Sequence, residues 1–119
     1  MGEKNCRKVG TVYENKAVLF LQNKGYKIVK QNFRCRQGEI DIIAKDREYL
    51  VFIEVKYRKN AYEGAALEAV TWQKQQRIIK TAKYYLYITA SKGFEQPCRF
   101  DVIAFEGEKI VHIQNAFTS

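Results

Sequence analysis

The stretch GEIDIIAKDREYLVFIEVK, residues 38–56, decides how this chain is read. Two runs within it, EIDIIAK (39–45) and YLVFIEVK (49–56), are rich in β-branched and aromatic residues, which suit a pleated, covered surface. Only Asp46, Arg47 and Glu48 separate them, so they are expected to pair as a hairpin. Side chains alternate across a strand, so LVFIEV is apolar on both faces, the pattern of a central strand covered above and below. The same alternation sets Glu39, Asp41 and Ile43 on one face of the first strand, and Phe52, Glu54 and Lys56 on one face of the second. With Arg47 and Glu48 as the turn, or a four-residue loop in the same register, Asp41 falls opposite Glu54 and Glu39 opposite Lys56.

Carboxylates that face each other on a covered sheet repel, which raises a pKa or weakens the fold unless a cation lies between them. A divalent metal meets that need. Oxygen ligands with no nearby His or Cys select Mg²⁺, or Mn²⁺ in its place, over zinc. Lys56 follows Glu54 by two residues, so it projects from the same face, and its long stem can reach a water or phosphate oxygen beside such an ion. The plainer alternative is a Lys56 that only pairs with Glu39 or Glu54. Taken alone, the tripeptide EVK favours that alternative, because it arises often by chance.

Upstream of the hairpin, Val9, Tyr13, Ala17, Phe20 and Leu21 recur at helical spacing over residues 9–24, and Gly25 supplies a stop. Glu14 lies at the boundary of that apolar stripe and can point toward the sheet; otherwise it is an exposed helix Glu supported by a cation one turn away. YKIVKQNF (26–33) reads as a first strand and RCRQG (34–38) as a basic turn. Downstream, YRKNAYEG (57–64) reads as a loop, and Thr71 can cap a second helix with Ile78, Ile79, Ala82, Tyr85, Leu86 and Thr89 on its inner face. After Gly93 and Pro97, RFDVIAF (99–105) and KIVHIQ (109–114) flank the turn EGE as a final hairpin. This order predicts one α/β domain over residues 1–119, a mixed five-stranded sheet flanked by helices, with the strand order left open.

The 21 Lys and Arg against 13 Asp and Glu, a net charge of +8, favour polyanionic partners. Cys6, Cys35 and Cys98 are odd in number, far apart and without a CxxC pair, which argues against a disulfide framework or zinc knuckle and fits a reducing cytoplasm. No apolar run approaches the ~20 residues needed to cross a bilayer, and the polar start MGEKNCRKVG lacks the core of a signal peptide, so a soluble cytoplasmic protein with no membrane partner is expected. No GxxxxGK[ST], GxSxG or HExxH string occurs, which removes the commonest NTPase, hydrolase and metalloprotease readings. The single histidine, His112, is expected to be structural, and Asp101 to pair with Arg99 or a helix residue.

GEID, followed after twelve residues by EVK, resembles the PD-(D/E)XK nuclease signature, with Asp41 as its first acidic residue and Glu54-Val55-Lys56 as its second half; Ile40 stands where the motif has Pro. Glu14 on a helix closed by Gly25 ahead of GEID is similar in layout to archaeal Holliday junction resolvases. The series Gly10, Glu14, Gly25, Asn32, GEIDIIA, VFIEVKYR, Ala69-Val70, Lys74, Ala82 and RFDVIAF resembles, over nearly the whole chain, the YraN-like family of uncharacterised bacterial proteins. These resemblances imply a restriction-endonuclease-like core and a Mg²⁺-dependent endonuclease, acting on DNA for preference and leaving a 5′-phosphate. They imply Asp41 and Glu54 as metal ligands, Glu14 as a third, and Lys56 as the catalytic lysine.

Arg34 and Arg36 before GEID, and Arg58 and Lys59 after EVK, lie at the same strand ends as the carboxylates and are candidates to hold flanking phosphates. For any one of them, solvated loop charge is the alternative. Lys74 and Arg77 are weaker candidates, and Tyr57, Tyr62 and Trp72 either stack on bases or edge the core. The rival function is a nucleic-acid-binding module that keeps the fold without turnover and acts with a partner protein. A homodimer, the form in which junction resolvases cut, stays open, since no exposed apolar stripe marks an interface.

Overall fold

In the computed structural model, residues 2–58, 70–89 and 95–118 are described, with side chains for 11–57, 70–89 and 95–118. The central hairpin forms as its sequence requires. Strand β2 (Gly38–Asp46) pairs antiparallel with β3 (Tyr49–Arg58), and Asp46 against Tyr49 closes the pair, leaving Arg47 and Glu48 as the turn. Arg47 takes φ 59°, the left-handed backbone that lets so short a connection follow the strand twist. Strand β1 (Lys27–Cys35) pairs antiparallel with β2, with Cys35 against Gly38 beside the turn residues Arg36 and Gln37.

On the other side of β3, strand β4 (Cys98–Glu106) runs parallel to it and β5 (Lys109–Phe117) antiparallel to β4. The order β1-β2-β3-β4-β5 makes one mixed five-stranded sheet with β3 in the middle, where a strand apolar on both faces belongs. A parallel neighbour requires a crossover, and the second helix lies on it between β3 and β4. The arrangement is the α/β, restriction-endonuclease-like one.

Helix α1 (Gly2–Asn23) starts well before the Val9 that periodicity marks, and covers one face of the sheet; Ala17, Leu21 and Tyr26 pack there with Ile42, Ala44, Val51, Ile53, Ile103 and Phe105. Helix α2 (Trp72–Ile88) covers the other, where Ile78, Ile79, Ala82 and Tyr85 meet Ile43, Leu50, Phe52, Phe100 and Val102. Gly25 ends α1 at φ 93°: its N–H donates to the Gln22 carbonyl and the N–H of Tyr26 to that of Leu21, the paired bonds of a Schellman motif. Thr71 caps α2, its hydroxyl accepting from the Lys74 N–H at 3.2 Å.

Two expectations need correcting. Thr89 is not on the inner face of α2: it is the exposed C-cap, its hydroxyl donating to the Tyr85 carbonyl at 2.8 Å, while Thr81 is the buried threonine, bonded to the Arg77 carbonyl. Tyr57 and Arg58 extend β3 rather than opening a loop, with Arg58 against Glu106; the remainder of the expected loop, 59–64, and Gly93 lie outside the described residues. Among the described residues no helix is long and apolar enough to cross a membrane.

Candidate functional site

The β2–β3 ladder runs from Asp46 and Tyr49 to Ile42 and Ile53 and stops there. The next positions in this register are Asp41 and Glu54, the two carboxylates expected to face each other. Instead of a further ladder bond, Oδ2 of Asp41 accepts from the Val55 N–H at 2.8 Å. A side chain thus takes the acceptor place of a strand carbonyl, and the sheet forks. Gly38 permits the approach of α2 to this end, since a Cβ there would stand 3.1 Å from Thr81 Oγ1.

Electrostatic strain is concentrated at the fork. Burial, then the charge of Glu54, pushes the Asp41 carboxyl up to about 7, with Glu14 and Glu39 adding to the effect and the Val55 N–H opposing it. Glu54 is buried at 6% exposure, and its Oε1 carries two ammonium groups, Lys74 Nζ at 2.7 Å and Lys56 Nζ at 3.4 Å. Burial and the neighbouring Lys74 hold Lys56 below the usual lysine range, against the pull of Glu54. For Lys74 burial acts in the same direction, but the contact with Glu54 outweighs it and the group is raised.

Glu14 reaches this end of the sheet from α1. Burial first, and then Glu39, raises its carboxyl, while a hydrogen bond from Asn32 and the charge of Arg34 work the other way. Its Oε1 is buried and has no hydrogen-bond partner. Asn32 was given no role by sequence, yet the flanking pairs Gln31 with Ile42 and Phe33 with Ile40 set it across from Asp41 on β1. Its φ of 54° is a conformation that Asn tolerates better than most residues.

Together Gly38, Glu39, Asp41, Glu54, Lys56, Lys74 and Arg77 line an open cleft of about 480 Å³ that also includes Val55 and Ile78. Glu39 pairs with Arg34, its cross-strand neighbour, at 3.3 Å, and Lys56 with Glu54, so the suggested Glu39–Lys56 pair does not form. Lys74 and Arg77, rated lowest by sequence, line the cleft. Arg34 and Arg36 are exposed beside it at the β1–β2 turn, the side chain of Arg58 and all of Lys59 lie outside the described residues, and so does Tyr62. Tyr57 stacks on Tyr13 at 4.2 Å between centroids, on the α1 side, whereas Trp72 is 67% exposed.

The pattern of the uncharacterised protein family UPF0102 matches residues 13–105, a span that holds Glu14, Asp41, Glu54, Lys56 and Lys74. The chain belongs to this family. A UPF0102 protein of Lachnoclostridium phytofermentans is 49% identical over 95% of both chains. One of Aeromonas hydrophila is 46% identical over 91% of this chain and 83% of its own, and one of Pseudomonas fluorescens 36% identical over the full length of both.

This UPF0102 chain carries a second charged cluster on β4 and β5, and it is internally satisfied. Asp101 is fully buried, accepting from His112 Nε2 at 2.8 Å, from Arg99 at 2.9 and 3.0 Å and from the Asn115 N–H at 3.0 Å. Burial pushes the Asp101 carboxyl up, but these donors prevail and hold it below the usual carboxylate range. Arg99 also meets Asp46 and the Tyr26 hydroxyl, and Lys24 Nζ lies 2.9 Å from His112 Nδ1. Ring and carboxylate serve the fold, as expected for His112 and Asp101.

Proposed function

We propose that this protein is a metal-dependent nuclease that hydrolyses phosphodiester bonds, with DNA the favoured polymer. The observation that carries the reading is the fork in the central hairpin, where Asp41 and Glu54 converge with Lys56 in one cleft. The donors fit a hard divalent ion. They are carboxylate oxygens, one with its carboxyl pushed up to about 7 by burial and by the charge of Glu54, with the buried, unpartnered Glu14 Oε1 close by. Mg²⁺ or Mn²⁺ keeps waters and takes a substrate phosphate beside one or two carboxylates, so it asks for no more than this pair; among the described residues no three His, Cys, Asp or Glu side chains gather as a metal-holding group.

Asp41 and Glu54 would hold the ion, with the Val55 carbonyl and Glu14 as further oxygens. Bound there, the metal would supply Lewis acidity toward the scissile phosphate and lower the pKa of a water. The Val55 N–H fixes the orientation of Asp41. Lys56, held below its usual range, orients the attacking water and neutralises charge that develops on the phosphate. Arg77 on the cleft wall and Arg34 and Arg36 at the turn hold flanking phosphates, with Arg58 and Lys59 as further candidates.

A second reading, nucleic-acid binding without turnover together with a partner protein, draws support from the Lys74–Glu54 ion pair, which gives one carboxylate a counter-charge of its own. The test is a cleavage panel of duplex, single-stranded, flap and branched DNA and RNA with Mg²⁺ or Mn²⁺. Cutting that Asp41→Asn and Lys56→Ala abolish is expected. Salt-sensitive binding with no cutting would transfer the protein to the second reading, and cutting that survives both substitutions would belong to a contaminant.

A further inference from the structure

Lys74 lies closer to Glu54 than the lysine of the motif does, 2.7 Å against 3.4 Å, and both ammonium groups sit on the same oxygen, Oε1. That oxygen belongs to a side chain only 7% exposed, whereas the Lys74 side chain is 36% exposed and starts from the first turn of α2. The Thr71 cap holds the Lys74 backbone N–H, so the root of the side chain is fixed while its end reaches solvent. Its charged neighbours are the carboxylates of Glu54 and Asp41 and the ammonium of Lys56, with Glu39 and Arg77 lining the same cleft.

A divalent ion held by Asp41 and Glu54 would meet Lys74 in a partly buried cleft, where like charges a few ångströms apart repel far more strongly than in bulk water. Lys56 sits further from Oε1, at 3.4 Å, and is the less exposed of the two side chains, 27% against 36%, so Lys74 is both the closer counter-ion and the one with more open solvent beside it. We propose that Lys74 is the resident counter-ion of Glu54 and competes with the divalent metal for its carboxylate, so that metal entry frees the ammonium to hold a phosphate at the cleft mouth. This rests on the metal-dependent reading of the same cleft, and adds that one basic residue opposes metal binding before nucleic acid arrives.

The effect to look for runs against the usual direction for a site residue. In the full chain without nucleic acid, Lys74→Met should bind Mn²⁺ more tightly than wild type, by roughly tenfold, the size of coupling that neighbours in one ion-pair network show. In EDTA the same variant should melt at a lower temperature, because Glu54 loses its closest cation. Mn²⁺ binding by titration calorimetry or electron paramagnetic resonance, with melting in EDTA, gives both readouts without any assay of cleavage. If Lys74→Met does not fold, Lys74→Gln, which keeps a donor for Glu54, gives the same comparison.

Unchanged or weaker Mn²⁺ binding by the variant overturns the proposal, even if the wild type cuts DNA. No Mn²⁺ binding by either protein overturns both the proposal and the metal-dependent nuclease reading. Tighter binding by the variant beside a wild type that cuts nothing leaves the counter-ion role standing and removes only the nuclease.

Discussion

Asp41→Asn should make the protein more stable and inactive. Asn keeps an oxygen to accept the Val55 N–H but cannot carry the charge that burial and Glu54 disfavour. Moving a carboxyl from its ordinary 3.8 to about 7 is a shift of roughly 3 units, or about 4 kcal/mol at 1.36 kcal/mol per unit. The sign follows from proton affinity: the folded protein keeps a proton that the unfolded chain releases. Stability from the protonated carboxyl is therefore complete below the unfolded value and is lost as pH rises through about 7.

The variant does not titrate there, so its advantage should widen between pH 5 and pH 8, by about 3 kcal/mol for the roughly 2 units of titration inside that interval. Urea unfolding of both proteins at the two pH values, in EDTA, measures the gap directly. Mn²⁺ at pH 8 should then raise only the wild type, by about 2.7 kcal/mol at a hundredfold excess over its Kd. A gap equal at pH 5 and pH 8 would refute the claim that the fork stores repulsion.

Asp101→Ala should be strongly destabilising, by about 3–5 kcal/mol in urea unfolding, because it strips Arg99, His112 and the Asn115 N–H of a buried acceptor. Its carboxyl is held low, so the stability it supplies is present above the ordinary Asp range and lost as pH falls through the depressed value; the variant should lack that acid limb. Thr71→Ala should remove about 1 kcal/mol and lower Tm by a few degrees in calorimetry, through the α2 cap.

Much of the architecture was legible because it is local. LVFIEV reads as central from its alternation alone, Gly25 and Thr71 mark helix ends by backbone chemistry, and the Arg47–Glu48 turn sets the register that carries Asp41 toward Glu54. The strand order was not legible, since pairing β3 with β4 depends on how the crossover helix packs. Lys74 was undervalued for a related reason: along α2 it lies off the apolar stripe, and its meaning comes from that helix packing against β2, which brings the side chain to Glu54. The Arg34–Glu39 pair follows by counting outward from the Arg36–Gln37 turn, and of the two partners open to Lys56 it leaves Glu54. Asn32 stood in the family resemblance without a task, because a positive φ is not written in the residue name.

The fork also makes the backbone a witness to the site. Because the Val55 amide donates to Asp41 rather than to a strand carbonyl, whatever engages that carboxylate changes the environment of one peptide N–H. Its NMR resonance and its rate of exchange with deuterium should follow occupancy of the cleft, while the amides paired within the regular ladder at Ile42 and Ile53 stay constant. A single nucleus can then register the arrival of whatever engages the Asp41 carboxylate.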